Sequence, residues 1–450
     1  MASARPPSLK AVFTSGFPVN TLDCTRGVFE TSVRLRWHHR MAVSTRKKAG
    51  DHSYPQTEIE ALHHWDNLTR GKYIWQIPLN NLPDELFGPD AELLHGYWRE
   101  INTEYWALHK LHEKVEVPTC TLTGWWDRLS STVDHFTGMC IRGPVRFRDQ
   151  HRLIIGPWVH DIEAIQPPLP RDYGPEALLD LSDLIQRWYD YHLKGIDNGL
   201  GAEPPVKFFV LNENRWHYRN DWPPSNVVST NFYLASRGHA NTPLGDGRLT
   251  RNIPTETKAD HFDYNPRNPV LSLVGPSGQA AACDQSPLRG RQDILVYQTE
   301  ILREDLVSVG PVSCVLFIES DAPDTDFFAK LIEVGQDNLA VNIAQGMLRT
   351  RYRSKYQQEK MLPVGEVVEL RFELMVVGIR FRAGSRIRLD ITSSDFPAFD
   401  RNHNTGRPFY SDNELRVAHQ KVWHGDNLSS RLILPLVQTC WMDNNKSTAR

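Results

Sequence analysis

The nucleophile elbow Gly-x-Ser-x-Gly, which sets a catalytic serine on a tight strand-to-helix turn, occurs nowhere in these 450 residues. Several other signatures are also absent. No apolar run approaches the roughly 18 residues that a membrane-spanning helix requires. The six cysteines (Cys24, Cys120, Cys140, Cys283, Cys314, Cys440) show no C-x-x-C spacing, so neither a zinc ribbon nor a disulfide framework is supported. Free, mostly buried thiols in a reducing compartment are the expectation. A basic excess is missing too: the formal net charge of -3 argues against nucleic-acid and anionic-membrane partners. His-Glu-x-x-His and Gly-rich phosphate loops are absent. Met1-Ala2-Ser3-Ala4-Arg5-Pro6-Pro7 lacks the apolar stretch of a signal peptide.

What remains is a composition of 40% hydrophobic, 23% charged and 10% aromatic residues, that of an ordinary globular chain long enough for two or three domains. Three zones follow one another. Residues 25–115 are rich in Trp, His and Leu; Glu58–Trp65 and Tyr97–Ile101 read as short helices, the make-up of a cap and not of a sheet. Residues 116–222 alternate strand and helix, as a parallel α/β unit does. Strands are expected at Val117–Thr123, Arg152–Ile155 and Val206–Val210, and helices at Leu129–Cys140 and Glu176–Lys194. In the second helix Leu181, Leu184, Ile185, Trp188 and His192 fall near helical spacing on one face, and Gly195 provides the left-handed stop. From 223 onward the chain is nearly all strand and turn, with alternating runs such as Asn231–Leu234, Asp293–Tyr297, Val312–Ile318 and Arg386–Ile391, which suggest a jelly-roll β-sandwich.

Two motifs carry chemistry. Thr123-Gly124-Trp125-Trp126-Asp127 and Ile155-Gly156-Pro157-Trp158-Val159-His160 each close an apolar run that reads as a buried strand. Loops at the carboxyl ends of neighbouring parallel strands converge, so residues there can meet. The 33-residue spacing from Asp127 to His160 suits a strand–helix–strand crossover. A carboxylate on one imidazole nitrogen fixes the tautomer and steadies the imidazolium, leaving the other nitrogen as general base toward a hydroxyl. Taken singly, an Asp at a strand end is most often a helix cap and a lone His is structural; the ordered pair is the informative unit.

With Gly124–Asp127 and Leu153–His160, three further segments resemble signatures of the cocaine esterase / X-Pro dipeptidyl-peptidase group: His192–Gly199, Ser320–Phe327 and Ser393–Asn402. The resemblance spans essentially the whole chain. It implies a fold of α/β plus all-β class: a partial α/β-hydrolase domain (1–24 and 116–222), a helical cap (25–115) and a C-terminal jelly-roll β-sandwich (223–450). It also implies serine hydrolysis of an ester or amide through an acyl-enzyme, with Asp127 and His160 as triad members and Trp125, Trp126 and Leu129 as substrate-pocket candidates that could equally be core packing. Family members carry Gly-x-Ser-Tyr-x-Gly and then a helix ending in Pro-Pro-x-Leu-Lys-Ala. Here Arg5-Pro6-Pro7-Ser8-Leu9-Lys10-Ala11 matches the end of that helix, so the nucleophile is expected just ahead of Met1, in a segment this chain lacks.

Two serines are the candidate substitutes: Ser15, after the strand-like Ala11-Val12-Phe13, and Ser277, expected in a β-domain loop. Neither has elbow spacing. A chain without the serine is expected to be nearly inert, and its apolar edge around Leu9 to Phe13 to favour aggregation. A non-catalytic scaffold or binding module, or an acyltransferase variant, is the alternative. The expected partners are a small-molecule ester or peptide substrate and a second copy of the chain in a homodimer, with no cofactor, no metal, no nucleic acid, no membrane and a cytoplasmic location. His38-His39, His63-His64 and His109-x-x-His112 are expected on polar helix faces, Arg46-Lys47-Lys48 in a solvated loop, and Asp321, Asp324 and Asp326 in turns without calcium-loop spacing.

Overall fold

The computed structural model describes residues 1–17, 19, 27–99, 108–128, 131–160, 171–274, 282–354 and 358–438. A five-stranded sheet runs in chain order: β1 (Val12–Ser15), β2 (Thr119–Trp126), β3 (Arg152–Val159), β4 (Val206–Val210) and β5 (Arg215–Arg219). The first four strands are parallel and β5 returns antiparallel to β4. All eight residues of β2 are buried, as expected for a strand paired on both edges and covered on both faces. That double pairing also corrects the expected strand ends. The ladder carries β2 through Trp126 and β3 through Val159, so both tryptophan motifs lie inside strands and not after them.

Helices α1 (Thr31–Lys48), α2 (Glu58–His64), α3 (Arg70–Tyr73) and α4 (Ala91–Arg99) form the cap, whose core joins Phe29, Leu35, Trp65, Phe87, Leu94 and Trp98. Helix α2 begins at a Thr-x-x-Glu signature: the Thr57 hydroxyl accepts from the Glu60 N–H at 3.2 Å. The crossover helices α5 (Ser131–Arg142) and α6 (Leu181–Lys194) cover the two sheet faces. Val115, Val117 and Met139 pack on one side; Ala11, Leu122, Ile154, Trp158 and Trp188 pack on the other. Helix α6 starts at Leu181, later than the periodicity suggests, because Asp180 caps it through a 3.0 Å bond from the Asp183 N–H. It ends at Gly195 with φ +68°, where the Ile196 N–H reaches the Asp190 carbonyl at 3.1 Å. Among the described residues no helix is long and apolar enough to cross a membrane.

The C-terminal part is all β. Its strands are β6 (Val227–Ala235), β7 (Arg248–Thr250), β8 (Lys258–Tyr264), β9 (Leu295–Gln298), β10 (Leu306–Ser320), β11 (Asp326–Val334), β12 (Ala340–Arg349), β13 (Val368–Phe381), β14 (Arg386–Thr392), β15 (Ala418–His424) and β16 (Arg431–Val437). Hydrogen bonds link them in the order β12-β11-β14-β9-β7-β6-β16-β10-β15-β8, with β13 antiparallel to β10. A register shift between Pro311 and Ser313 bends the long β10 so that it serves β13, β15 and β16 along its length. This continuous 11-stranded ladder is the all-β part of the fold, in keeping with a C-terminal β-sandwich.

The α/β sheet and the β-sandwich share one apolar core. Trp125, Trp126, Phe208 and Phe209 pack with Val377, Ile379 and Leu331, and Leu211 pairs with Ile379 across the junction. Polar expectations are corrected by burial. His38, His39 and His112 are interior, not on polar helix faces, and Arg46 is buried in the last turn of α1, not in a solvated loop. Asp324 and Asp326 are fully buried counter-ions: Arg351 Nε binds Asp324 at 2.9 Å, and Arg349 forks onto Asp326 at 2.9 and 2.8 Å. Cys120, Cys140, Cys283 and Cys314 are free thiols.

Candidate active site

The β2–β3 register brings Trp126 opposite Val159. The next residue on each strand is therefore Asp127 and His160, side by side at the carboxyl end of the sheet. Gly124 makes that approach possible, since a Cβ there would lie 2.1 Å from the Trp158 carbonyl oxygen. The Asp127 N–H closes a turn onto the Gly124 carbonyl at 3.0 Å, which turns its carboxylate back toward the sheet end.

His160 Nδ1 lies 3.0 Å from Asp127 Oδ1. The Asp127 side chain is wholly buried, whereas a quarter of the His160 side chain is exposed. The Thr123 hydroxyl donates to the other carboxylate oxygen, Oδ2, at 3.1 Å. A buried carboxylate held on both oxygens cannot swing, so it selects the tautomer with the proton on Nδ1. Nε2 then carries the lone pair, and no described residue bonds to it. The arrangement can take a proton from a hydroxyl delivered to that open edge and return it to a leaving group.

Two neighbours of the pair escaped the sequence reading. Gly16, just past β1, has φ +46° and sits against the pair: a Cβ would fall 2.8 Å from Asp127 Oδ2 and 2.9 Å from His160 Nδ1 and Cε1. Its backbone is fixed by Gly16 N–H to the Leu122 carbonyl (3.1 Å) and by Phe17 N–H to the Thr132 hydroxyl (3.1 Å). A glycine directly after a strand that neighbours the Asp-bearing strand was the available signal. The second is Glu30, buried at the start of α1, whose Oε2 receives Arg34 at 3.0 Å and Arg128 at 3.3 Å. Arg128 follows Asp127 directly, so this carboxylate ties the loop bearing the pair to the cap.

The remaining candidates fall elsewhere. Trp125 and Trp126 are core side chains, 1% and 0% exposed, with indole N–H groups bonded to the Phe209 and Asn342 carbonyls at 2.8 and 3.3 Å. They seal the sheet against the β-sandwich and present no open face. Leu129 and Ser277 lie outside the described residues. Ser15 is exposed at the end of β1 and makes no hydrogen bond to His160. A second Ser-His-Asp group lies in the β-sandwich, with His424 and Asp260 buried and Ser236 half-buried. Ser236 Oγ and Asp260 Oδ2 both contact the same His424 nitrogen, Nε2, at 3.0 and 3.2 Å, and Nδ1 is buried without a partner. A relay needs acid and nucleophile on opposite nitrogens, so this group is structural. Among the described residues no cluster of three or more His, Cys, Asp or Glu is placed to hold a metal ion.

Comparison with known proteins gives this geometry a context. Residues 198–433 match the X-Pro dipeptidyl-peptidase C-terminal non-catalytic domain. The chain is 32% identical over 351 residues to cocaine esterase from Rhodococcus sp. (strain MB1 Bresler), a match covering 75% of this chain and 60% of that esterase. An aminopeptidase from the marine sediment archaeon Thaumarchaeota archaeon superposes with a TM-score of 0.75 at 21% identity, over 96% of this chain and 73% of that one. An α-amino acid ester hydrolase superposes with a TM-score of 0.72 at 20% identity, over 97% of this chain and 74% of that one. At such identities the two structures speak for the fold alone.

Proposed function

Because this chain belongs to the family of cocaine esterase and the X-Pro dipeptidyl-peptidases, we propose that its Asp127–His160 pair is the acid–base relay of a serine hydrolase that cleaves an ester or amide. The observation that carries the reading is the 3.0 Å contact at the carboxyl ends of adjacent parallel strands, with the far nitrogen of the ring bonded to none of the described residues. The relatives are esterases and peptidases, which supports hydrolysis as the class of reaction.

In this reading a serine hydroxyl presented to His160 Nε2 loses its proton to the ring as its oxygen attacks the substrate carbonyl. Asp127 stabilises the imidazolium. His160 then gives the proton to the departing alcohol or amine, and water repeats the cycle on the acyl-enzyme. No serine among the 450 residues has elbow spacing, so the reading concerns the site these residues build once a serine is brought to it.

A fluorophosphonate probe tests this directly. The 450-residue chain is expected to take no label, since no serine in it has elbow spacing; a labelled serine at any of its positions overturns that expectation. With an elbow-bearing hydrolase segment fused ahead of Met1, hydrolysis of p-nitrophenyl butyrate is expected. His160→Ala is expected to cut that turnover by about 10⁴- to 10⁶-fold. Equal activity in the variant would remove His160 from the reaction. If an assembled, well-folded fusion takes no label, the non-catalytic scaffold becomes the better reading.

A further inference from the structure

The cap carries a second oriented imidazole, remote in sequence from Asp127 and His160. Between α2 and α3 the helix passes through one π turn, Trp65–Thr69, closed by Arg70 N–H onto the Trp65 carbonyl five residues back. Residues five apart on an α-helix point about 140° away from each other. The wider π turn brings them onto one face, and Thr69 Oγ1 lies 3.0 Å from His64 Nδ1. The same Nδ1 is 3.2 Å from His39 Nε2, while His39 Nδ1 is 2.7 Å from the Leu86 carbonyl.

These contacts fix the protons. A carbonyl only accepts, so His39 carries its hydrogen on Nδ1. Burial lowers His39 to about 4, which leaves its ring neutral and its Nε2 a bare acceptor. His64 Nδ1 must then be the donor, shared between His39 Nε2 and the Thr69 hydroxyl. With the hydrogen on Nδ1, Nε2 is the ring's acceptor nitrogen, the same polarity that a carboxylate imposes on a catalytic histidine. That nitrogen has no partner among the described residues and is not enclosed.

His64 lines an open groove of about 1170 Å³. The walls around it include Tyr54, Tyr73, Ile59 and Leu68, the last two each 70% exposed. Tyr54 is held in place by the Arg46 guanidinium 3.7 Å above its ring. We propose that this groove is a ligand site for small aryl molecules bearing a hydroxyl, the ring lying on the tyrosine and aliphatic wall and the O–H donating to His64 Nε2. Neither the hydrolase reading nor the family match assigns it.

The probes are 2-naphthol and 2-methoxynaphthalene, which share a ring system and differ in the donor. Titrated against the full chain at neutral pH and followed by ligand-observed NMR, 2-naphthol is expected to bind about tenfold more tightly, the effect of one hydrogen bond to a preset acceptor. His64→Phe, which keeps an aryl wall, is expected to equalise the two probes. Thr69→Val is expected to narrow the gap several-fold while leaving the fold intact by circular dichroism, and it serves alone if His64→Phe does not fold. Equal binding of both probes to the unmodified chain, no 2-naphthol binding at millimolar concentration, or a tenfold preference that survives both substitutions would each overturn the proposal.

Discussion

Replacing Gly16 with alanine is expected to break the Asp127–His160 contact without touching either residue. The new methyl carbon would stand 2.8 Å from Asp127 Oδ2 and 2.9 Å from the His160 ring, closer than carbon and these atoms tolerate. Three responses are open. The backbone could retreat, but Gly16 and Phe17 are pinned to the Leu122 carbonyl and the Thr132 hydroxyl at 3.1 Å each. Asp127 could move, but it is buried and held by Thr123. His160, a quarter exposed, is the member free to swing out. The left-handed backbone (φ +46°) adds about 1–2 kcal/mol for any residue with a Cβ. Stability is therefore expected to fall by about that amount, and the pair to open by roughly an ångström, a displacement that can cost about 10²-fold in a catalysed rate. The assay is the low-field Nδ1–H proton resonance of His160 beside a urea melt, with Ser15→Ala, an exposed neighbour, as the silent control. A Gly16→Ala protein with unchanged midpoint and unchanged His160 resonance would refute the argument that this glycine spaces the pair.

Further outcomes can be checked on the same chain. Glu30→Ala leaves the Arg34 and Arg128 guanidiniums facing a vacated buried site, and a loss of about 3–5 kcal/mol is expected by denaturant titration, as for other broken buried pairs. Arg349→Leu strands Asp326 and Asp400, both within 2.8 Å of it, and a loss of similar size is expected, read as a drop in thermal midpoint. Acid should weaken the fold early. Burial lowers His38, His39, His112 and His151 to about 4 and His135 to about 3. Their folded values lie below the unfolded value near 6.5, so the unfolded chain takes up protons first. This stability is complete above about 6.5 and drains as pH falls toward 4, by about 2 kcal/mol for one such ring at pH 5. A urea midpoint that stays flat from pH 7 to 5 would contradict it. Glu213 acts lower: burial raises it, but bonds from His217 and Arg380 prevail and hold it at about 2, so its share is lost only as pH falls below about 4.5 toward 2.

Local pattern was enough to read the parallel strands, the crossover helices and the alternating β-domain runs, because each depends on periodicity within a few residues. It was also enough to pair Asp127 with His160, since strand ends and chain order determine who can meet whom. What stayed hidden depends on partners distant in sequence. Asp324 and Asp326 look like turn residues until Arg351 and Arg349 are brought against them by the β11–β12 hairpin. His38 and His39 look like a polar face until Leu86 and the rest of the cap close over α1. Gly16 acquires meaning only when β1 lies beside β2, about a hundred residues later in the chain.

The motifs separate by what their side chains contact. The segments containing Asp127 and His160 bring a carboxylate and an imidazole together at 3.0 Å, whereas Ser320–Phe327 and Ser393–Asn402 build a charge cluster. Asp326 and Asp400 converge on Arg349, and Asn402 bonds to both Asp324 and Asp326 at 3.0 and 2.8 Å. Asp400 also accepts from the Phe29 N–H at 2.7 Å while its own N–H bonds the Phe29 carbonyl at 2.8 Å, and the Ser32 N–H reaches the Pro397 carbonyl at 3.0 Å. One residue on, Glu30 grips Arg128, the neighbour of Asp127. Residues 29–32 are thus the knot where β-sandwich, cap and the loop bearing the pair are tied together. A buried charge cluster is a weak source of net stability but a strict one in geometry, because each unpaired member is costly. Its effect here is to hold the entry of the cap at a fixed distance from Asp127. Breaking Asp400 should therefore disturb the His160 resonance from a residue that does not contact the ring, whereas an equally destabilising core truncation at Leu389, away from that knot, should not.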